Sequence, residues 1–212
     1  MKLAILTLAF LSIILSGCVL ANIAAQQEKT TNLWDELVAT ETFGQSFIST
    51  QDNLYRIDLG TATYARTNSA PVIFHLRTSP ETNTDIVSVT LSGADIQNER
   101  PTSFIFSPLP DSRGKTLYFF IESPEATPGN AITLYVNEYD QYPDGTAYKN
   151  GKPVTADLVF TAYGQETFTI ASVLQDFLKR VAQDKPFLIC YSLLLVGVCV
   201  GFVQILRSPD RR

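Results

Sequence analysis

Leu54-Tyr55-Arg56-Ile57-Asp58-Leu59 and, further on, Val72-Ile73-Phe74-His75-Leu76-Arg77 decide the fold of this chain. In both stretches apolar side chains recur at every second position, and a backbone with a two-residue repeat sends neighbouring side chains to opposite faces. Tyr55, Ile57 and Leu59 are expected to face a core, with Arg56 and Asp58 toward solvent; Val72, Phe74 and Leu76 take the inner side and Ile73, His75 and Arg77 the outer. Similar runs occupy residues 42–48, 86–91, 103–106, 117–121, 131–136 and 157–163, making eight strands. Turn formers stand between them, among them Pro80, Pro128-Gly129, Asp144-Gly145 and Asn150-Gly151. Eight short strands with no helix among them predict an all-β domain over residues 41–165, an antiparallel jelly-roll β-sandwich.

The charge of that domain narrows its partners. Residues 41–165 hold fourteen Asp and Glu against eight Lys and Arg, a net charge of −6. Such a surface repels phosphate backbones, so no nucleic acid is expected as a partner. The three cysteines, Cys18, Cys190 and Cys199, all lie outside it, so no disulfide framework supports the core. One histidine and no cysteine in the domain also exclude the usual zinc sites.

Candidate binding residues fall in two groups. The loop at 137–153 reads NEYDQYPDGTAYKNGKP, in which Tyr139, Tyr142 and Tyr148 offer rings to the apolar faces of sugars and Asp140, Asp144 and Asn150 offer directional hydrogen bonds. Asp140 and Asp144 also carry the hard oxygen donors of a calcium site, the one cofactor left open. The competing account is a hairpin pinned by Asp-Gly and Asn-Gly turns, its tyrosines packed on the sandwich. The second group is the outward side of the strands: Arg56, Asp58, His75, Arg77, Tyr118, Phe120 and Glu122, either a sugar-binding or paired-carboxylate face or ordinary cross-strand ion pairing. No G-x-S-x-G turn or comparable elbow accompanies His75, so no catalytic residues are expected and the chain reads as a non-enzyme.

The two ends of the chain read as membrane segments. Residues 187–206, FLICYSLLLVGVCVGFVQIL, carry no charge, and twenty residues at a helical rise span about 30 Å, the thickness of a bilayer core. Pro186 precedes this expected transmembrane helix and Arg207, Arg211 and Arg212 follow it, which places the tail at 207–212 in the cytoplasm. Gly197 and Gly201 form a G-x-x-x-G, the spacing at which two helices approach closely in lipid; a second copy, an enzyme's helix, or the chain's own Gly17 and Ala21 are the candidate partners. Residues 1–21 form an export leader whose Leu15-Ser16-Gly17-Cys18 resembles the bacterial lipobox. Cleavage with lipidation of Cys18, or an uncleaved signal anchor, both export the middle of the chain. Within the linker at 22–40, Asn32 as a cap, Asp35 in the first turn and Leu33, Trp34, Leu37 and Val38 on one face predict a short helix docked on the domain through Trp34. Residues 166–186 return to helical spacing, with Ile170, Val173, Leu174, Phe177, Leu178 and Val181 on one face. This stalk is expected to pack on the protein's own residues, the outer leaflet being the alternative.

The segments GQSF, LYRIDLGTATYARTN, PVIFHLR, PLPDSRGKTLYFFIESP, PGNAITLY and YPDGTAYKNGKPVTADLVFTAY, in this order, resemble a bacterial group of membrane-anchored jelly-roll ectodomains. The resemblance covers residues 42–163. It implies a likeness to carbohydrate-binding sandwiches and a setting among envelope proteins that serve polyprenol-dependent glycosyltransferases and surface polysaccharide. It transfers no ligand residues. Two functions follow: a non-catalytic sugar-binding module held outside the bacterial cytoplasmic membrane, or an accessory subunit of a membrane enzyme such as a glycosyltransferase, with no glycan site of its own.

Overall fold

The computed structural model describes residues 17–207. Leu20–Glu166 forms one compact unit, and the helices that follow Thr167 belong to a second. In chain order the strands are β1 (Gly17–Gln27), β2 (Asn32–Leu33), β3 (Thr42–Ile48), β4 (Leu54–Ala62), β5 (Val72–Arg77), β6 (Val87–Leu91), β7 (Arg100–Leu109), β8 (Thr116–Glu122), β9 (Thr133–Asn137), β10 (Ala147–Lys149), β11 (Lys152–Val154), β12 (Asp157–Leu158) and β13 (Phe160–Thr169). Helices α1 (Ile170–Gln183) and α2 (Lys185–Arg207) close the described chain.

The strands form two sheets. One has the order β1-β13-β4-β9-β12, with β2 added to β9 and β7 to β4; the other has the order β11-β10-β3-β8-β5-β6. Every pair with a defined register is antiparallel. The eight runs read from the alternation overlap these strands, but the last is split between β12 and β13, residues 86, 131 and 132 lie outside any strand, and thirteen strands among the described residues replace the expected eight. Their inward residues meet in a single cluster that draws on both sheets: Phe43, Phe47, Phe74, Leu76, Phe119 and Ile121 from one, Ile57, Leu59, Phe104, Val136, Leu158 and Phe160 from the other. Phe74 stacks on Phe104 with ring centroids 4.8 Å apart, and Phe119 meets Phe160 edge-on at 5.5 Å.

Three local expectations are corrected. In β4 the register with β7 shifts between Leu54 and Arg56, so Leu54 is fully buried and Tyr55 only half-buried. A bulge of this kind sets one extra residue against its partner strand and moves the alternation by one. The linker at 22–40 contains no helix: Asn22 to Gln27 belong to β1, and the segment after β2 runs extended beside β9, donating from Trp34 N to Leu134 O (3.0 Å) and from Leu37 N to Ile132 O (2.8 Å). Sheet pairing and complete burial of Leu37 outweigh the local helical spacing. Trp34 does dock on the domain, edge-on to Phe43 at 4.9 Å. Gly17 and Ala21 stand on strand β1, so they offer no helical face to Gly197 and Gly201.

The turn between β10 and β11 shows why Asn150-Gly151 was legible. Both residues have positive φ, 55° and 69°, the pair of left-handed conformations that Asn-Gly adopts at least cost in a tight hairpin.

In the second unit, α2 carries the predicted apolar run. By length and composition no single helix among the described residues is long and apolar enough to cross a membrane; Ile170–Arg180 and Lys185–Val200 pass together, bent by 101°. A Cβ added at Gly197 meets nothing within 4 Å, so that position is open. Cys190 and Cys199 are free thiols on the exposed surface of α2. Residues 1–16, with most of the leader, and residues 208–212 of the tail lie outside the described residues; Cys18 itself lies in β1.

Candidate functional site

Register determines which predicted site residues meet. Across the outer face of the six-stranded sheet, Tyr148 of β10 stands opposite Gly44 of β3, Gly44 opposite Phe120 of β8, Phe120 opposite His75 of β5, and His75 opposite Ser88 of β6. In adjacent rows Tyr118 pairs with Arg77, and Glu122 with Ile73. His75, Arg77, Tyr118, Phe120 and Glu122 are therefore brought together, with Tyr148 joining them from the other candidate group. Arg56 and Asp58 are not. They lie on β4 in the opposite sheet, where Arg56 Nε is 3.2 Å from Asp58 Oδ1 and the guanidinium sits 3.9 Å from the Tyr163 ring centroid. Alternation marks a residue as outward, but two sheets have two outer faces.

Gly44 makes room for the rings. A Cβ there would lie 2.5 Å from the Tyr118 hydroxyl and 2.7 Å from the Phe119 carbonyl oxygen, so only glycine lets Tyr118 fold over β3. Tyr118 and Phe120 are then nearly covered, at 4% and 8% exposure, although they face away from the core. Tyr148 meets Tyr118 edge-on at 5.1 Å. The imidazole of His75 stacks parallel on Phe120, centroids 4.4 Å apart, and the Arg77 guanidinium lies 4.5 Å from the centre of the same ring. Burial pushes the Tyr118 phenol up to about 12, against a smaller lowering by Arg77, so its hydroxyl keeps its proton.

A charged network sits on this bed of rings. Asp85, in the turn before β6, accepts from Arg77 Nε at 2.6 Å and contacts His75 Nδ1 at 2.7 Å. Arg77 also donates from Nη1 to the Thr82 carbonyl at 2.9 Å. In the tautomer that carries the ring proton on Nδ1, His75 donates to Asp85 and Nε2 is left as an acceptor. Nε2 is buried without a hydrogen-bond partner, 3.5 Å from Glu122 Oε1. In that tautomer Nε2 and the Glu122 carboxylate are neighbouring acceptors. Sequence reading missed Asp85 because it lies in a loop; the signal that finds it is the β5–β6 hairpin, which folds residue 85 back beside 75 and 77.

Burial raises the Asp85 carboxyl, but the bonds from Arg77 and His75 outweigh it and hold the group below its ordinary value. Glu36 is also lowered, by hydrogen bonds from Arg66 and from the Gly129 amide. A carboxyl depressed on folding adds stability above its unfolded pKa, near 4, and that stability is lost as pH falls through the folded value. The melting temperature of the full chain is expected to fall as pH is lowered from about 5 to about 3, and Asp85→Asn to flatten that fall. An unchanged slope in the variant would show that Asp85 is not differentially held in the folded state.

The loop group disperses. Tyr142 is a packing ring, edge-on to Phe160 at 5.5 Å, its hydroxyl accepting from Ile48 N at 3.4 Å and its phenol raised by burial. Asn150 accepts from Thr42 N at 2.7 Å and donates to Glu41 Oε2 at 2.9 Å, pinning the hairpin. Tyr139 is 66% exposed and remains presented to solvent. Among the described residues, no group of three or more His, Cys, Asp or Glu is gathered to hold a metal ion, and Asp140 and Asp144 belong to no such group.

No known family model matches the chain, and no curated protein matches it.

Proposed function

We propose that this protein is a non-catalytic sugar-binding module of the bacterial envelope, a jelly-roll sandwich held outside the cytoplasmic membrane by residues 187–206, with its tail in the cytoplasm. Its binding face is the outer side of the six-stranded sheet around His75. The observation that carries this reading is His75 Nε2, buried without a hydrogen-bond partner 3.5 Å from Glu122 Oε1 and set among rigid rings. A sugar hydroxyl donates to the partly exposed Glu122 carboxylate and, once the ring cluster opens enough to uncover Nε2, a second donates to His75, which suits a polysaccharide or lipid-linked sugar. A shallow sheet face of this kind binds weakly, with about 4 to 6 kcal/mol, toward the millimolar end.

The test is a glycan-binding screen on the full chain in detergent. A fragment beginning at Glu41 would be unsuitable, because it lacks Ala24, Ala25 and Leu37 of the core. Glu122→Gln keeps the shape and turns one acceptor into a donor; it is expected to weaken glycan binding about tenfold while leaving the melting temperature near that of the wild type. Absence of any glycan ligand, or equal binding by the variant, overturns this reading. The accessory-subunit reading would then take its place, favoured by a separate observation: Leu20 and Ile23 are about half exposed on β1, a strand at the edge of its sheet, and an apolar edge is a surface for another chain.

A further inference from the structure

α1 is amphipathic, but its apolar face is not buried. Within its own unit Val173, Leu174, Phe177 and Leu178 are each left more than half exposed. Phe168, Val173 and Phe177 line an open cavity with Asp176 and Arg180, so other side chains of this unit do not fill that face. At residue 184 the chain turns by 101° into α2, whose Ile189, Leu193, Leu194, Val196 and Val198 are exposed to still larger extents. From this geometry we infer that α1 lies in the plane of the membrane interface, its apolar stripe sunk among the outer ends of the acyl chains and its polar side toward water.

Two features commit the face to lipid rather than to a protein partner. An apolar helix exposed over so much of its surface finds its match in hydrocarbon, and a helix joined to it at about a right angle is held parallel to the surface that α2 enters. The polar side carries Lys179 and Arg180 in its last turns, with Lys185 just past the bend, where they meet phosphate headgroups. Lipid, not a second protein layer, then anchors the stalk.

The inference rests on the proposed span at residues 187–206, of which Lys185–Val200 passes by length and composition only together with Ile170–Arg180, and the experiment separates the two. The full chain is reconstituted in vesicles of phosphatidylcholine and phosphatidylglycerol, with Trp34 as the constant background and one tryptophan added at a time. Leu194→Trp should be quenched by lipids brominated deep in the acyl chain, which reports the span. Phe177→Trp should lose more than about half of its added emission to lipids brominated near the glycerol end, and Gln175→Trp, on the polar side, should lose little. Residues 175, 177 and 194 are exposed, so none of these changes disturbs the sandwich core. If Leu194→Trp is quenched while Phe177→Trp is not, or while Phe177→Trp and Gln175→Trp are quenched equally, the interfacial placement is wrong and the span stands. Loss of quenching at Leu194→Trp overturns both.

Discussion

Asp157→Ala is expected to lower stability by about 3 to 5 kcal/mol, a fall of about 10 °C or more in melting temperature. Asp157 is completely buried in β12. Its Oδ2 accepts from the backbone amides of Gln141 (2.7 Å) and Tyr142 (2.8 Å), and its Oδ1 from Gln45 Nε2 (3.2 Å). One carboxylate therefore ties the loop after β9 to both sheets and holds Tyr142 against Phe160. Truncation removes the acceptor of two part-buried amides and of one N–H of Gln45, whose Nε2 still donates to Ser46 O at 3.2 Å, and each buried group left unpaired costs about 1 to 3 kcal/mol. Asp157→Asn should cost less, about 1 to 3 kcal/mol, because the amide oxygen still accepts from the loop while its NH2 faces the NH2 of Gln45. Gln45 has no room to turn, since its Oε1 already accepts from Leu158 N at 3.0 Å. Adding Gln45→Glu supplies an acceptor in its place but sets a carboxylate oxygen against the Ser46 carbonyl to which Gln45 Nε2 donates at 3.2 Å, so the double variant should recover only a small part of the loss. Thermal unfolding of the four chains in detergent, followed by near-UV circular dichroism, measures this. Equal and small losses in Asp157→Ala and Asp157→Asn would show that water reaches the carboxylate.

Alternation served well where one face of a strand is buried and the other is wet, as in Val72–Arg77, because the two-residue repeat is then written in the side chains. It failed at β1, GCVLANIAAQQ, whose inward residues are Ala24, Ala25 and Gln27, small or polar, while Leu20 and Ile23 face outward. Gln27 pairs internally, donating to Lys29 O at 2.9 Å, a contact with no trace in hydropathy. The site was half legible for a similar reason. His75, Tyr118 and Glu122 were read as outward from their own strands. Separating them from Arg56 and Asp58 needed the strand order, and Asp85 needed the hairpin, both set by contacts distant in sequence. Tyr142 and Tyr148 are alike in composition, yet one ring is core packing and the other stands on the outer sheet face, a difference that depends on which side of the hairpin each occupies.

Phe119→Ala is expected to cost about 3 to 5 kcal/mol, with a fall in melting temperature of about 10 to 15 °C. Phe119 is fully buried on β8, between β3 and β5, and its ring has three ring neighbours: Phe47 at 6.1 Å, Phe74 at 5.8 Å and Phe160 at 5.5 Å. Phe160 belongs to the other sheet, so the void would open between the layers. Side chains on paired strands have little freedom to close it, which puts the change at the costly end of such truncations. Phe119→Leu, which keeps most of the volume, should cost about 1 kcal/mol or somewhat more. Ile105→Ala is the control on an exposed position of β7, 61% accessible, where a loss within about 0.5 kcal/mol is expected. Denaturation of the three variants in detergent should therefore rank Phe119→Ala far below Phe119→Leu, and that below Ile105→Ala. Equal losses at 119 and 105 would mean that the two sheets do not share this core. The shared core also makes the outer face rigid: Phe119 fixes the pleat of β8 from below, and Tyr118, Phe120 and Glu122 stand on its other side, so Phe119→Ala should loosen the His75–Phe120 stack and, under the proposed sugar-binding function, weaken glycan binding without removing any residue of the proposed face.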